Sequence, residues 1–152
     1  MLLHFTARSV IRATPGQLFA FHELSDAFRR LLPPGQKIRV LQTAPSLEAG
    51  SRTIVKIRIV FLWVTFESLH TAYDPPHSFE DRQVRGPFRS WRHRHIVEAH
   101  PDGAILIDDI DYTPPFGLLG RAIDGIVIRP RLRKVFAFRH RVTREYCENA
   151  PR

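Results

Sequence analysis

The chain has 152 residues, 43% of them apolar and 25% charged, with a formal charge of +8; this is the make-up of one folded domain, not of a disordered, collagenous or coiled-coil chain. No apolar run reaches the roughly 18 residues that a transmembrane helix needs, and the opening MLLHFTARSVIRAT lacks a basic start followed by an apolar block, so neither a membrane span nor a signal peptide is expected. The single cysteine, Cys147, has no partner for an internal disulfide, which fits a reducing cytoplasm.

Residues 4–12 alternate apolar and polar and predict a strand. Thr14-Pro15-Gly16-Gln17 marks a helix start, with Thr14 as cap and Pro15 in the first turn. Two short helices follow, over 15–23 and 25–31, the second capped by Ser25 or Asp26 and stopped by Pro33-Pro34-Gly35. Strands are expected at 37–43, 52–60 and 62–73, with a tight corner at Phe61-Leu62-Trp63 that carries no turn signal. Asp74-Pro75-Pro76, Arg85-Gly86-Pro87 and Pro101-Asp102-Gly103 are turns, and they bound strands at 77–84, 88–99 and 104–112.

Residues 118–146 read as one long helix, interrupted by Pro130. An interior proline removes a hydrogen bond and crowds the preceding turn, so a kink or short break is expected at 126–130, with Arg129 pushed away from helical angles. After Pro130 an apolar stripe runs through Leu132, Val135, Phe136, Val142 and Tyr146. Before it, Leu118, Leu119, Ile123, Ile126, Val127 and Ile128 cover nearly the whole circumference, which implies a buried core segment, with a gate, a membrane-facing surface or a dimer interface as the other readings. Positive charge concentrates in the same region: residues 117–152 hold nine Arg and Lys against three acids, whereas residues 1–116 hold 14 against 12. A solvated helix face explains this, and an anionic membrane, nucleic acid or acidic partner would also fit it. Cys147 sits among charged neighbours near the end and is expected to be incidental.

One strand, two short helices, a run of antiparallel strands and a long last helix make an α+β fold, because the buried sheet face has only that helix to cover it. The sharpest motif is Phe79-x-Asp81-x-Gln83-x-x-Gly86-Pro87-Phe88-x-x-Trp91-x-His93-x-His95. It continues through Asp108, Asp111-Tyr112, Pro115-Phe116-Gly117-x-x-Gly120 and Val135-Phe136-x-x-Arg139. Across essentially the whole chain, this pattern resembles the SRPBCC (START-like, helix-grip) superfamily, in its bacterial ligand-binding or cyclase/dehydrase-like group; Pro130 departs from it. The resemblance implies a curved antiparallel sheet of six to seven strands wrapped around the C-terminal helix, as a single domain over residues 1–152. It also implies a cavity for lipids, polyketides or other apolar molecules, with cyclase activity in some members.

Alternate residues of a strand share a face. Trp91, His93 and His95 therefore point together, away from Arg92 and Arg94, and Phe79, Asp81 and Gln83 form a second such row. In the last strand the spacing leaves both faces open, and the family pattern favours Asp108 and Tyr112 inward. If position 99 faces 104 across the Pro101-Asp102-Gly103 turn, Trp91 faces Tyr112, His93 faces Ile110 and His95 faces Asp108; a bulge at Gly103 would bring His95 to Asp109 instead. The first register sets inward residues opposite inward ones. The resulting row of Phe79, Asp81, Gln83, Trp91, His93, His95, Asp108 and Tyr112 is the candidate ligand-binding set, and His95 and Asp108 are its catalytic candidates. Three readings stand: a buried structural network in which Asp108 accepts from His95 while Gln83 and Tyr112 satisfy each other or the backbone, groups that orient a ligand's carbonyl or hydroxyl, and an acid–base pair. His93-x-His95 with Asp108 has zinc-like spacing, but no fourth ligand is evident, so neither a metal nor another cofactor is expected. Nucleophile-elbow, Walker, dinucleotide and zinc-protease signatures are absent. The expected partner is an apolar small molecule, without nucleic acid; peripheral membrane contact and a cyclase or dehydratase activity are the alternatives.

Overall fold

The alternation read in the sequence builds the sheet almost strand for strand. In a computed structural model that describes residues 1–151, seven antiparallel strands lie in the order β1-β7-β6-β5-β4-β3-β2. They are β1 (Leu3–Ile11), β2 (Ile38–Gln42), β3 (Arg52–Ile59), β4 (Leu62–Asp74), β5 (Ser78–Arg85), β6 (Ser90–His100) and β7 (Gly103–Thr113). Helices α1 (Pro15–Glu23) and α2 (Ala27–Arg30) connect β1 to β2. The last helical segment runs from a 3-10 turn at Gly117–Leu119 through α3 (Gly120–Ile123) and a π-helical turn at Asp124–Ile128 into α4 (Arg129–Asn149). The expected α+β helix-grip arrangement is therefore present, with a curved sheet holding the C-terminal helix. Among the described residues no helix is long and apolar enough to cross a membrane.

Local signals set most boundaries. The Thr14 hydroxyl accepts from the Gln17 N–H at 3.1 Å, and the Gln17 carboxamide oxygen accepts from the Thr14 N–H at 2.9 Å, a closed capping box. The second helix is shorter than expected. Asp26 makes no side-chain cap; its carboxylate instead takes the Arg30 guanidinium at 2.7 Å. At the unsignalled corner, Ile59 pairs with Leu62, so the loop is the two residues Val60 and Phe61, one residue before the expected place. Val60 takes a φ of 57° there, a left-handed conformation that costs a β-branched residue about 1–2 kcal/mol. Glycine is the residue that two-residue hairpins with a positive first φ prefer. Val60→Gly is therefore expected to raise stability by about 0.5–1 kcal/mol after glycine's own entropic cost; urea unfolding checks this, and a loss would show that the Val60 side chain contributes contacts there.

Pro130 acts as expected in place but not in form. The chain stays helical, with Arg129 at φ −61° and ψ −44°, so the predicted displacement of Arg129 from helical angles does not occur. The ladder widens instead, the Arg129 N–H reaching back to the Asp124 carbonyl across a π turn. This lengthened turn sets Pro130 in the first turn of a new α-helix, where a missing N–H costs nothing.

Two apolar clusters fill the concave side. One gathers Ile11, Leu18, Phe19, Phe21, Phe79, Val97 and Leu106 with Cys147; the other gathers Phe5, Ile110, Tyr112, Leu132 and Phe136. Cys147 is thus a core residue, not part of a frayed end, and burial pushes its thiol up to about 11. The buried stripe of α4 is Leu132, Phe136, His140, Thr143 and Cys147, so Val142 and Tyr146 lie at its margin. The convex face carries ion pairs: Asp109 takes Arg94 and His4, and Glu80 takes Arg82 and Arg92.

Candidate functional site

Between the two apolar clusters runs a polar belt, one row deep. On β7 the inward residues pass from Leu106 through Asp108 to Ile110, and on β6 from Val97 through His95 and His93 to Trp91. On α4 they pass from Cys147 through His140 to Phe136. Each element thus contributes apolar residues at both ends and titratable ones in the middle, two on β6 and one each on β7 and α4. The β6–β7 register is the one chosen from the turn: Trp91 opposite Tyr112, His93 opposite Ile110, His95 opposite Asp108, without a bulge at Gly103. Asp108 bonds to His140 of α4 and Tyr112 packs with Leu132 and Phe136, which fixes both on the inner face.

Asp108 is the centre of the belt. One carboxylate oxygen accepts from His93 Nε2–H at 2.7 Å and lies 3.1 Å from His95 Nδ1; the other accepts from His140 Nε2–H at 2.6 Å. Because that bond fixes the His140 tautomer, the Ser9 hydroxyl donates to His140 Nδ1 at 2.8 Å. Asp81 forms the second node, accepting from the Ser68 hydroxyl at 2.7 Å and from His95 Nε2–H at 3.0 Å. His95 therefore sits between two carboxylates. Burial alone would lower its pKa, but hydrogen bonds to Asp108 and Asp81 outweigh it and push it up to about 9. Against the opposing effect of burial, the bonds from His140, His93 and His95 hold Asp108 below its ordinary range, and the bond from His95 does the same for Asp81. Burial, aided by the neighbouring His95 cation, lowers His93. Burial likewise lowers His70, and it lowers His22 to about 4.

The remaining candidates lie around this belt. Phe79 stacks on His95 at 4.0 Å between ring centroids. The Gln83 carboxamide donates to the Phe88 carbonyl at 2.8 Å and accepts from its N–H, closing the β5–β6 turn. Tyr112 donates to the Asp124 carboxylate at 2.5 Å, and burial together with that bond raises its pKa. Arg129 approaches the same carboxylate at 3.2 Å, tying the π turn to the sheet. Trp91 joins Phe66, Phe88 and Tyr112 in an aromatic row.

That row lies toward one end of the sheet. α4 packs over β1 and α1, while the inward residues Ile57, Val64, Phe66, Phe88 and Trp91 stay half-buried. The β3–β4 turn, the β5–β6 turn and the end of β7 share one end of the sheet, as the antiparallel order requires. There Phe61, Phe116, Leu118, Leu119, Ile126 and Val127 are exposed, Leu118 completely. The apolar segment before Pro130 is therefore not core, contrary to expectation: most of its large side chains are exposed. On the opposite flank a groove of about 460 Å³ runs between β1 and α4 over the buried Phe136 and His140.

Residues 11–138 match the model of the family described as polyketide cyclase / dehydrase and lipid transport. The chain belongs to this family. Among curated proteins none matches it in sequence. Its fold is shared with the crystal structure of a Thermus thermophilus protein, at 11% identity and a TM-score of 0.72 over 94% of this chain and 95% of that one. A Streptomyces aromatase/cyclase is similar at 12% identity and 0.67, over 95% of each chain. The major latex-like protein of Panax ginseng is similar at 13% and 0.68, over 96% and 97%. At these identities the likeness is one of fold.

His140, Ser9, Ser68, His22, His70 and Asp124 complete the site, and sequence reading missed all six. For His140 a signal existed, since it lies four residues after Phe136 and seven before Cys147, in phase with the buried stripe.

Proposed function

We propose that this protein binds an apolar small molecule on the open half of its concave face, against Ile57, Val64, Phe66, Phe88 and Trp91, with the polar belt as the inner wall. The observation that carries this is the half-buried apolar lining beside a rim of exposed apolar residues, an arrangement that marks ligand sites. Family membership supports it. In this reading His95 and Asp108 are positioning residues. Both ring nitrogens of His95 already face carboxylates, and both Asp108 oxygens are occupied, so the pair has no free proton to exchange with a bound ketone or alcohol.

Native mass spectrometry of protein purified from its own host, paired with titration of the apolar dye 1-anilinonaphthalene-8-sulfonate, tests the proposal. The expected result is a bound small molecule, or saturable dye binding at one equivalent, weakened at least tenfold by Phe66→Arg with circular dichroism unchanged. Dye binding unaltered by Phe66→Arg, or neither adduct nor saturable dye binding, overturns it.

A further inference from the structure

The sequence expectation of no metal rests on the lack of a fourth ligand beside His93, His95 and Asp108. The structure assigns Asp108 a different place and brings in another carboxylate. We propose that Asp81, His93 and His95 bind one first-row divalent transition-metal ion, with zinc as the best match.

The donor atoms converge. Ligand atoms of these three residues all lie within 4.8 Å of one another. Asp81 Oδ2 is 3.0 Å from His95 Nε2 and 3.8 Å from His93 Nδ1. Around a tetrahedral ion with bonds of about 2.0–2.1 Å, donors stand roughly 3.3 Å apart, and the two Asp81 separations lie within about half an ångström of that. Two imidazoles and one carboxylate suit zinc, cobalt or nickel better than the all-oxygen cations magnesium and calcium. Three protein donors leave at least one position for water or for an oxygen of a bound molecule.

The surroundings carry the inference further than the three residues alone. Metal-binding histidines nearly always give their second N–H to a carboxylate, which fixes the tautomer and aims the free nitrogen at the ion. Asp108 meets His93 Nε2 at 2.7 Å and His95 Nδ1 at 3.1 Å, so one carboxylate orients both rings and turns His93 Nδ1 and His95 Nε2 toward Asp81, and the ion would take the place of the proton that His95 Nε2 gives to Asp81, releasing it to solvent. Asp108 is itself anchored by His140. Asp81 in turn receives the Ser68 hydroxyl on the oxygen that faces away from the histidines. A further observation is independent of these bonds. His70 stands opposite Asp81 in the β4–β5 ladder, is 8% exposed, and has a buried Nδ1 without a hydrogen-bond partner. An acceptor left unpaired in a buried polar pocket is costly, and a metal-bound water would satisfy it. The Asp81 and His95 side chains each retain 13% exposure, which gives an ion a path of entry.

The test uses the full chain, stripped with chelator and titrated with Zn²⁺ by calorimetry and with Co²⁺ by visible absorption. One equivalent of Zn²⁺ is expected to bind, and to displace Co²⁺ whose visible bands report nitrogen and oxygen donors at low coordination number. Asp81→Asn and His93→Gln are each expected to weaken Zn²⁺ binding at least tenfold, and Ser68→Ala about tenfold through the carboxylate it holds. His4→Ala, at a histidine on the convex face, should leave binding unchanged. Should the ligand variants fail to fold, histidine ring resonances of the parent protein decide: Zn²⁺ must move those of His93 and His95. Absence of one-equivalent binding, binding unchanged in the folded ligand variants, or movement confined to His4, His77 and His100 overturns the proposal.

Discussion

Replacing Asp108 by alanine will destabilise the protein by about 3–5 kcal/mol, the cost of removing one member of a buried ionic network. Three imidazoles lose their acceptor together: His93 and His140 give up hydrogen bonds of 2.7 and 2.6 Å, and His95 loses one of its two flanking carboxylates. None of the three can turn to water, because their side chains are 4–13% exposed. The imidazolium of His95 is then left with Asp81 alone in a buried setting, which is where most of the cost arises. Asp109, the next residue on β7, supplies the contrast. It also pairs with basic groups, but Arg94 and His4 are 39% and 55% exposed and recover hydration when their partner goes. Asp109→Ala should therefore cost about 1 kcal/mol. Urea unfolding of both variants at neutral pH measures the difference, and equal losses would show that the belt does not hold the helix to the sheet.

The belt also shows why the fold is easier to read than the site. Turn chemistry at Pro101-Asp102-Gly103 and the opposed faces of His93/His95 and Arg92/Arg94 are local signals, and they yield the β6–β7 register correctly. The Asp81–His95 contact depends on β5–β6 pairing across a longer connection through Arg85-Gly86-Pro87, whose geometry no short motif specifies. His140 is hidden for another reason. Helical periodicity points to an apolar stripe, which Val135, Val142 and Tyr146 fit, whereas the stripe actually buried holds a histidine and a threonine that satisfy their polar atoms against Asp108, Ser9 and the Arg139 carbonyl. Residues 118–128 mislead in the opposite direction. A segment apolar on all sides resembles core by periodicity, and only the structure shows that most of it is exposed. Val60 is the third case: a β-branched residue at positive φ carries no sequence signal for a turn, so the expected corner falls one residue too late.

Acid will weaken this protein through His22. Its Nδ1–H donates to the Leu18 carbonyl at 3.0 Å, and its ring packs against Phe21 and Phe79 at 5.2 and 5.6 Å. No carboxylate lies within bonding distance to offset burial, which lowers its pKa from 6.5 to about 4, with the charge of His95 acting in the same direction. The folded chain therefore holds His22 neutral, while the unfolded chain takes up a proton near pH 6.5. A group with a depressed folded pKa contributes its full stability above the unfolded value and loses it as pH falls through the folded one. The window is thus pH 6.5 down to about 4, and the total lost across it is on the order of 3 kcal/mol. His22→Phe keeps the aromatic packing and removes the titration. Its stability should fall less steeply over this window than that of the parent, by about 1.4 kcal/mol per pH unit where the difference is one proton. Urea unfolding of both proteins at half-unit steps from pH 7 to 4, with chelator present throughout, measures the two slopes, and parallel curves would mean that His22 is charged or reached by solvent in the folded state.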